Sequence, residues 1–152
     1  MNKKIDINYF DLGTHCEGLE LESMLKNILP KLNCNINIYG VEADPELYKS
    51  CKDKFKDFKN VQMFNFAISD KDSKAFLYTA NNEGLGNSLF RDKQNVQSES
   101  PIEIMGMRFS SFLRKYNISL LNAINILKIN IEGAELFFFN DIIAVSYTHL
   151  TL

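Results

Sequence analysis

The chain has 152 residues, 45% hydrophobic and 24% charged, long enough to enclose an apolar core and too mixed in composition for a disordered or fibrous protein. A formal net charge of −2 supplies no basic field, which excludes nucleic acid and anionic membrane surfaces as default partners. Three cysteines, Cys16, Cys34 and Cys51, form no CxxC pair and leave an odd count, so a disulfide framework is not expected and a reducing compartment fits better.

Met1-Asn2-Lys3-Lys4 is followed by no apolar run of the roughly 7–15 residues that a signal peptide requires. No stretch approaches the roughly 18–20 apolar residues of a membrane span. The expected location is the cytoplasm.

Ile7 to Leu12 is short, apolar and closed by Gly13, the pattern of a buried strand. Leu19, Leu21, Met24, Leu25, Ile28 and Leu29 recur at helical spacing, and Pro30 helps to end that helix. Ile36 to Val41 reads as a second buried strand. Asp44-Pro45 then has the form of an N-cap followed by proline at the first helical position, opening a helix from Glu46 to Phe58. Leu47, Cys51, Phe55 and Phe58 share one face of it.

A third strand is expected over Val61 to Ile68, a turn at Asp70 to Ser73, and an antiparallel strand over Ala75 to Thr79. Asn81 to Ser100 is polar, contains Gly84 and Gly86, and reads as a site-covering loop. A short helix over Phe109 to Tyr116, a buried strand over Ile124 to Ile131 and a helix over Glu135 to Ile143 complete the order. Such alternation predicts one α/β domain, a mostly parallel sheet with helices on both faces.

Ligands of open α/β sheets bind at the carboxyl ends of the strands. The first strand ends in Asp11-Leu12-Gly13-Thr14-His15-Cys16-Glu17-Gly18. A dinucleotide fingerprint would place glycine where Asp11 stands, and Glu17 lies where a pyrophosphate would sit. Two carboxylates repel a phosphate and favour a cationic guest, although an acidic turn after a strand also occurs without a ligand. Glu42 follows Asp11 by 31 positions, about one strand-helix-strand unit, so both acids are expected at one sheet edge. Glu42 either accepts the two hydroxyls of a ribose or is a helix-start carboxylate favoured by the dipole. Ala67 is small where a flat base could lie, and Asp70 either contacts that base or opens a turn.

Taken in order, Asp11-Leu12-Gly13-Thr14-His15, Val41-Glu42-Ala43-Asp44-Pro45, Asn65-Phe66-Ala67-Ile68-Ser69-Asp70, Gly86-Asn87-Ser88-Leu89 and Leu127-Lys128-Ile129-Asn130-Ile131-Glu132-Gly133-Ala134-Glu135 resemble the FkbM family of methyltransferases. The last motif is the most specific. The resemblance spans roughly residues 7–143 and implies a class I, Rossmann-like methyltransferase fold. It implies S-adenosyl-L-methionine (SAM) as cofactor and a sugar or other small-molecule hydroxyl as acceptor. By position, Asp11, Gly13 and Thr14 would belong to the methionine side, Glu42 and Ala43 to the ribose, and Ala67, Ile68 and Asp70 to the adenine.

Two positions depart from the family pattern. Glycine comes at Gly18 rather than at Glu17, and Asn130 replaces an aspartate. Asn130 is no base but can orient an acceptor. Glu132 and Glu135 lie at the correct edge to act as base, or are dipole-favoured acids of a first helical turn. His15 reads as a structural hydrogen-bonder, and two histidines with scattered cysteines form no zinc-type ligand set.

The chain also ends before the further strands that the resemblance implies. Val145 to Leu152 is β-prone and resembles a translated read-through tail, so residues 144–152 are expected to lie outside the domain. The competing expectations are a non-catalytic SAM-binding remnant and, less well supported, a dinucleotide-binding domain.

Overall fold

A computed structural model describes residues 4–15, 18–80, 86–92 and 101–149, with the backbone alone for 145–149. In chain order the elements are β1 (Ile5–Leu12), α1 (Leu19–Ser23), β2 (Cys34–Glu42), α2 (Pro45–Phe55), β3 (Val61–Asn65), β4 (Ala67–Ile68), β5 (Ser73–Leu77), β6 (Ile102–Met107), α3 (Phe109–Lys115), β7 (Ile124–Ile129) and α4 (Glu135–His149). The chain divides into two compact units: Met1–Asn65 with Leu120–Asn130, and Phe66–Ser119 with Ile131–Leu152. Among the described residues no helix is long and apolar enough to cross a membrane.

The first unit is a four-stranded sheet in the order β3-β2-β1-β7, with every neighbouring pair parallel. Parallel strands need crossovers, and helical segments supply them between β1 and β2 and between β2 and β3. The first crossover starts as α1, widens to a π turn over Met24–Ile28 and tightens to a 3₁₀ turn over Leu29–Lys31. The expected Leu19 to Leu29 helix is therefore present in length but not uniform in winding. Pro30 sits in the first turn of the 3₁₀ piece, and the chain is extended at Leu32.

One face of this sheet buries Tyr9 and Ile38 under Leu21 and Leu25 from the first crossover and Cys51 and Phe55 from α2. The opposite face carries the stacked rings of Phe10 and Tyr39, 5.0 Å between centroids. On that face a row of amides crosses three strands. Asn8 donates to Asn125 at 2.9 Å, Asn125 donates to the Leu120 carbonyl at 2.8 Å, and Asn37 approaches Asn8 at 3.5 Å. Asn8 is buried, so its amide has to be paired within the protein.

The second unit holds the sheet β4-β6-β5, with β4 parallel and β5 antiparallel to β6. Its core is aromatic: Phe112 lies 5.1 Å from Phe66 and 6.0 Å from Phe109, and Phe109 meets Phe138 of α4 edge-on at 5.0 Å. Asp141 accepts hydrogen bonds from the Ser110 amide at 2.6 Å and hydroxyl at 2.8 Å, joining α3 to α4.

Three differences from the sequence reading have physical causes. The strand expected over Val61 to Ile68 breaks at Phe66, whose ring is buried against Phe112, and Ala67–Ile68 pairs with Gly106–Met107 instead. Residues 101–108, to which the sequence reading assigns no element, contain β6, the central strand of the second sheet. The last helix continues past Ile143 to His149, because no glycine or proline follows Gly133 to stop it. Most of the expected loop over Asn81 to Ser100 lies outside the described residues.

Candidate active site

Because β1, β2 and β7 run parallel, their carboxyl ends meet at one edge. Leu12 is the register partner of both Val41 and Ile129, so Glu42 and Asn130 each lie one residue beyond that row. The first unit therefore gathers Asp11, Gly13, Thr14, Glu42, Ala43 and Asn130 at this edge. Asn130 is exposed, and its backbone N–H donates to the Leu12 carbonyl at 2.9 Å.

The loop after β1 is folded back onto β2. The amides of Gly13 and Thr14 both donate to the Val41 carbonyl, at 2.9 and 3.1 Å, which requires a φ of 85° at Gly13, a region that glycine enters without cost. The Thr14 hydroxyl donates to the Asp11 carbonyl at 3.1 Å. At Gly18, φ is 49° and a Cβ would stand 2.7 Å from the buried ring of Phe55. The glycine displaced by one position from the family pattern is thus required where it stands. Cys16 and Glu17 lie outside the described residues.

Glu42 is buried, and both of its oxygens accept backbone amides: Oε2 from His15 at 2.7 Å and Oε1 from Asp44 at 2.9 Å. Burial pushes its pKa upward against these two bonds. His15 is left-handed at φ 63°, and the Cys51 thiol donates to its carbonyl at 2.6 Å. Asp44 caps α2 by accepting from the amides of Glu46 and Leu47, as Asp44-Pro45 predicts. Asn65, at the end of β3, donates to the carbonyls of Glu42 and Ala43 at 2.8 and 3.1 Å. Asn65 thus ties the end of β3 to the end of β2, a role that its local sequence does not reveal.

Asp11 is fully buried, and neither carboxylate oxygen accepts a hydrogen bond among the described residues. Lys128 Nζ lies 2.9 Å from Oδ1, an ion-pair distance without hydrogen-bond geometry. Burial raises the Asp11 pKa to about 6, with Lys128 pulling it down and Glu20 and Glu42 pushing it up. Lys128 also donates to the Gly13 carbonyl at 2.6 Å and pairs with Glu20 at 3.0 Å. The acids of the sheet edge thus have a resident counter-ion that their own spacing in the sequence does not announce. A signal existed: one lysine interrupts the apolar strand Ile124–Ile129, and Asp11 is its register partner.

The second unit holds the remaining sequence-predicted residues. Ala67 and Ile68 are buried in β4, and the exposed Asp70 accepts a weak 3.3 Å bond from the Ser69 hydroxyl. Glu132 and Gly133 are both left-handed, at φ 54° and 106°. Glu135 accepts the amides of Ile131 at 3.1 Å and Gly133 at 2.8 Å, one on each oxygen. The buried hydroxyl of Ser88 donates to the Glu132 carbonyl at 2.8 Å, so the Gly86–Leu89 motif holds the turn of the last motif.

A parallel α/β sheet with one acid at the carboxyl end of its first strand and a second at the end of the neighbouring strand has the form of a Rossmann-like methyltransferase domain. The model of the methyltransferase FkbM domain matches residues 18–147. The chain belongs to this family and is a methyltransferase. No curated protein and no solved structure gives a significant match.

Proposed function

We propose that the chain is a SAM-dependent O-methyltransferase acting on a hydroxyl of a sugar or another small molecule. The observation that carries this reading is Asp11, a buried carboxylate with only the poorly directed Lys128 ammonium beside Oδ1 and no donor at Oδ2 among the described residues. Such a group is costly unless a ligand supplies hydrogen-bond donors, and cationic donors repay it best. SAM, when bound, supplies an ammonium and a methyl group made electrophilic by a sulfonium. By their positions in the family motifs, Asp11, Gly13 and Thr14 are assigned to its amino-acid end, Glu42 and Ala43 to the ribose, and Ala67, Ile68 and Asp70 to the adenine. Each Glu42 oxygen holds one backbone amide and keeps a further lone pair for a hydroxyl.

On the acceptor side, Asn130 orients the hydroxyl, Glu132 takes its proton, and Glu135 holds the turn that presents Glu132. The left-handed φ of 54° at Glu132 supports this, because strain of that kind in a non-glycine residue collects at functional positions. A Glu132→Gln variant is expected to lose about 10²–10⁴-fold in kcat.

Calorimetry with SAM and with NADH tests the donor. SAM is expected to bind and NADH not, and Glu42→Ala is expected to weaken SAM at least about tenfold through two lost hydroxyl contacts. NADH binding more tightly than SAM would overturn the reading. SAM binding without methyl transfer to any polyol or phenol acceptor would favour the non-catalytic remnant.

A further inference from the structure

Lys128 is the least expected charge at the sheet edge. Its side chain is 20% exposed, and its ammonium meets three oxygens at once: the Gly13 carbonyl at 2.6 Å, Asp11 Oδ1 at 2.9 Å and Glu20 Oε2 at 3.0 Å. The three contacts differ in kind. Gly13 accepts a well-directed hydrogen bond and Glu20 is an exposed ion pair, whereas the 2.9 Å contact to Asp11 is poorly directed. The ammonium therefore already has two other partners on the near side of the loop.

We propose that Lys128 is the resident counter-ion of Asp11, giving up that carboxylate to the ammonium of an incoming donor while remaining on Glu20 and the Gly13 carbonyl. This rests on the reading of Asp11 as a donor-binding carboxylate. Without the donor, a buried carboxylate with no well-directed hydrogen bond needs a neutralising partner to stay ionised. With it, two cations share Asp11 and Glu20, and each acid retains one. Lys128 is thus a positioning residue. It keeps the site charged and open in the absence of a ligand and sets how strongly a cationic donor competes for Asp11.

Among the described residues, the groups facing Asp11 are Lys128 from β7, Glu20 from α1, Glu42 from β2 and Tyr9 on its own strand. Burial and the Asp11 charge push the Tyr9 phenol up to about 12, so it stays neutral and does not replace the lysine. The test is Lys128→Gln, whose amide can still donate to the Gly13 carbonyl but carries no charge. Carboxyl NMR of the ligand-free protein is expected to show the Asp11 inflection moving up by about one unit, a tenfold change in proton affinity. SAM affinity measured against pH is expected to follow, falling below the displaced inflection. Well above that inflection, Lys128→Gln is expected to bind SAM about threefold or more tighter than the wild type. Lys128→Arg should keep wild-type behaviour.

An unmoved Asp11 inflection, or weaker SAM binding at every pH, would mean that Lys128 is only a clasp on Gly13. Should Lys128→Gln not fold, Glu20→Gln decides. That side chain is 67% exposed, and its loss leaves the ammonium on Asp11 and weakens SAM by about threefold. Unchanged affinity in Glu20→Gln overturns the handover. A wild-type chain that takes up no SAM defeats the donor assignment itself, whereas SAM uptake with an unmoved inflection defeats the handover alone.

Discussion

The Ser88 hydroxyl donates a 2.8 Å hydrogen bond to the carbonyl of Glu132, 44 residues further along the chain, and its oxygen accepts the Phe90 amide at 3.1 Å. Ser88 is 1% exposed, so its hydroxyl is held by these two groups rather than by water. Replacing Ser88 with alanine leaves both groups unsatisfied, at a cost of about 1–3 kcal/mol. At this chain length that is a loss of several degrees in Tm, readable in a thermal melt. If Glu132 is the base, kcat should fall as well, since its carbonyl loses the contact that fixes the turn.

Asp11 makes stability depend on pH in a defined direction. Its folded pKa of about 6 lies above the ordinary 3.8, so the native state binds its proton more tightly than the unfolded chain does. That group therefore favours folding fully below pH 4, and the advantage is lost as pH rises toward 6. Comparing the wild type with Asp11→Asn isolates the effect. The stability difference should shift in favour of the asparagine by on the order of 2–3 kcal/mol between pH 4 and pH 7, at 1.36 kcal/mol per unit. Denaturant titrations at the two pH values check it, and a pH-independent difference contradicts it.

Gly18→Ala is expected to be among the more damaging single-atom additions in the first unit. The left-handed backbone at φ 49° costs about 1–2 kcal/mol for alanine. The new Cβ would stand 2.7 Å from the Phe55 ring, a core side chain only 2% exposed, adding about 1–3 kcal/mol of overpacking. Chemical denaturation reads the sum, and a change below about 1 kcal/mol would show that the loop can relax.

Glu135 separates support from chemistry. Both of its oxygens hold amides of the turn, so Glu135→Ala should lower stability by about 1–2 kcal/mol, the scale of a lost helix cap. Glu135→Gln keeps one acceptor and should retain most methyl transfer. A hundredfold loss in kcat for the glutamine variant, with an unchanged melt, would make Glu135 itself the base.

β1, β2 and the start of α2 are legible in the sequence because their signals are local. Ile7 to Leu12 and Ile36 to Val41 are apolar runs closed by turn residues, and Asp44-Pro45 announces α2 by its own chemistry. What escaped depended on distant partners. β6 alternates over six residues, Ile102–Met107, but follows a long polar stretch and takes its meaning from strands on either side. The break at Phe66 depends on Phe112, which no short window contains. The same holds for Lys128 and Asp11, which are register partners across 117 positions of sequence.

The amide row formed by Asn37, Asn8 and Asn125 acts as an alignment mark for the sheet. Side chains alternate between faces, so a slip of one residue would turn an asparagine into the apolar core and set Asn8 opposite an isoleucine. β7 reaches its place 117 residues after Asn8. The register that completes the chain of amides also brings Lys128 level with Asp11.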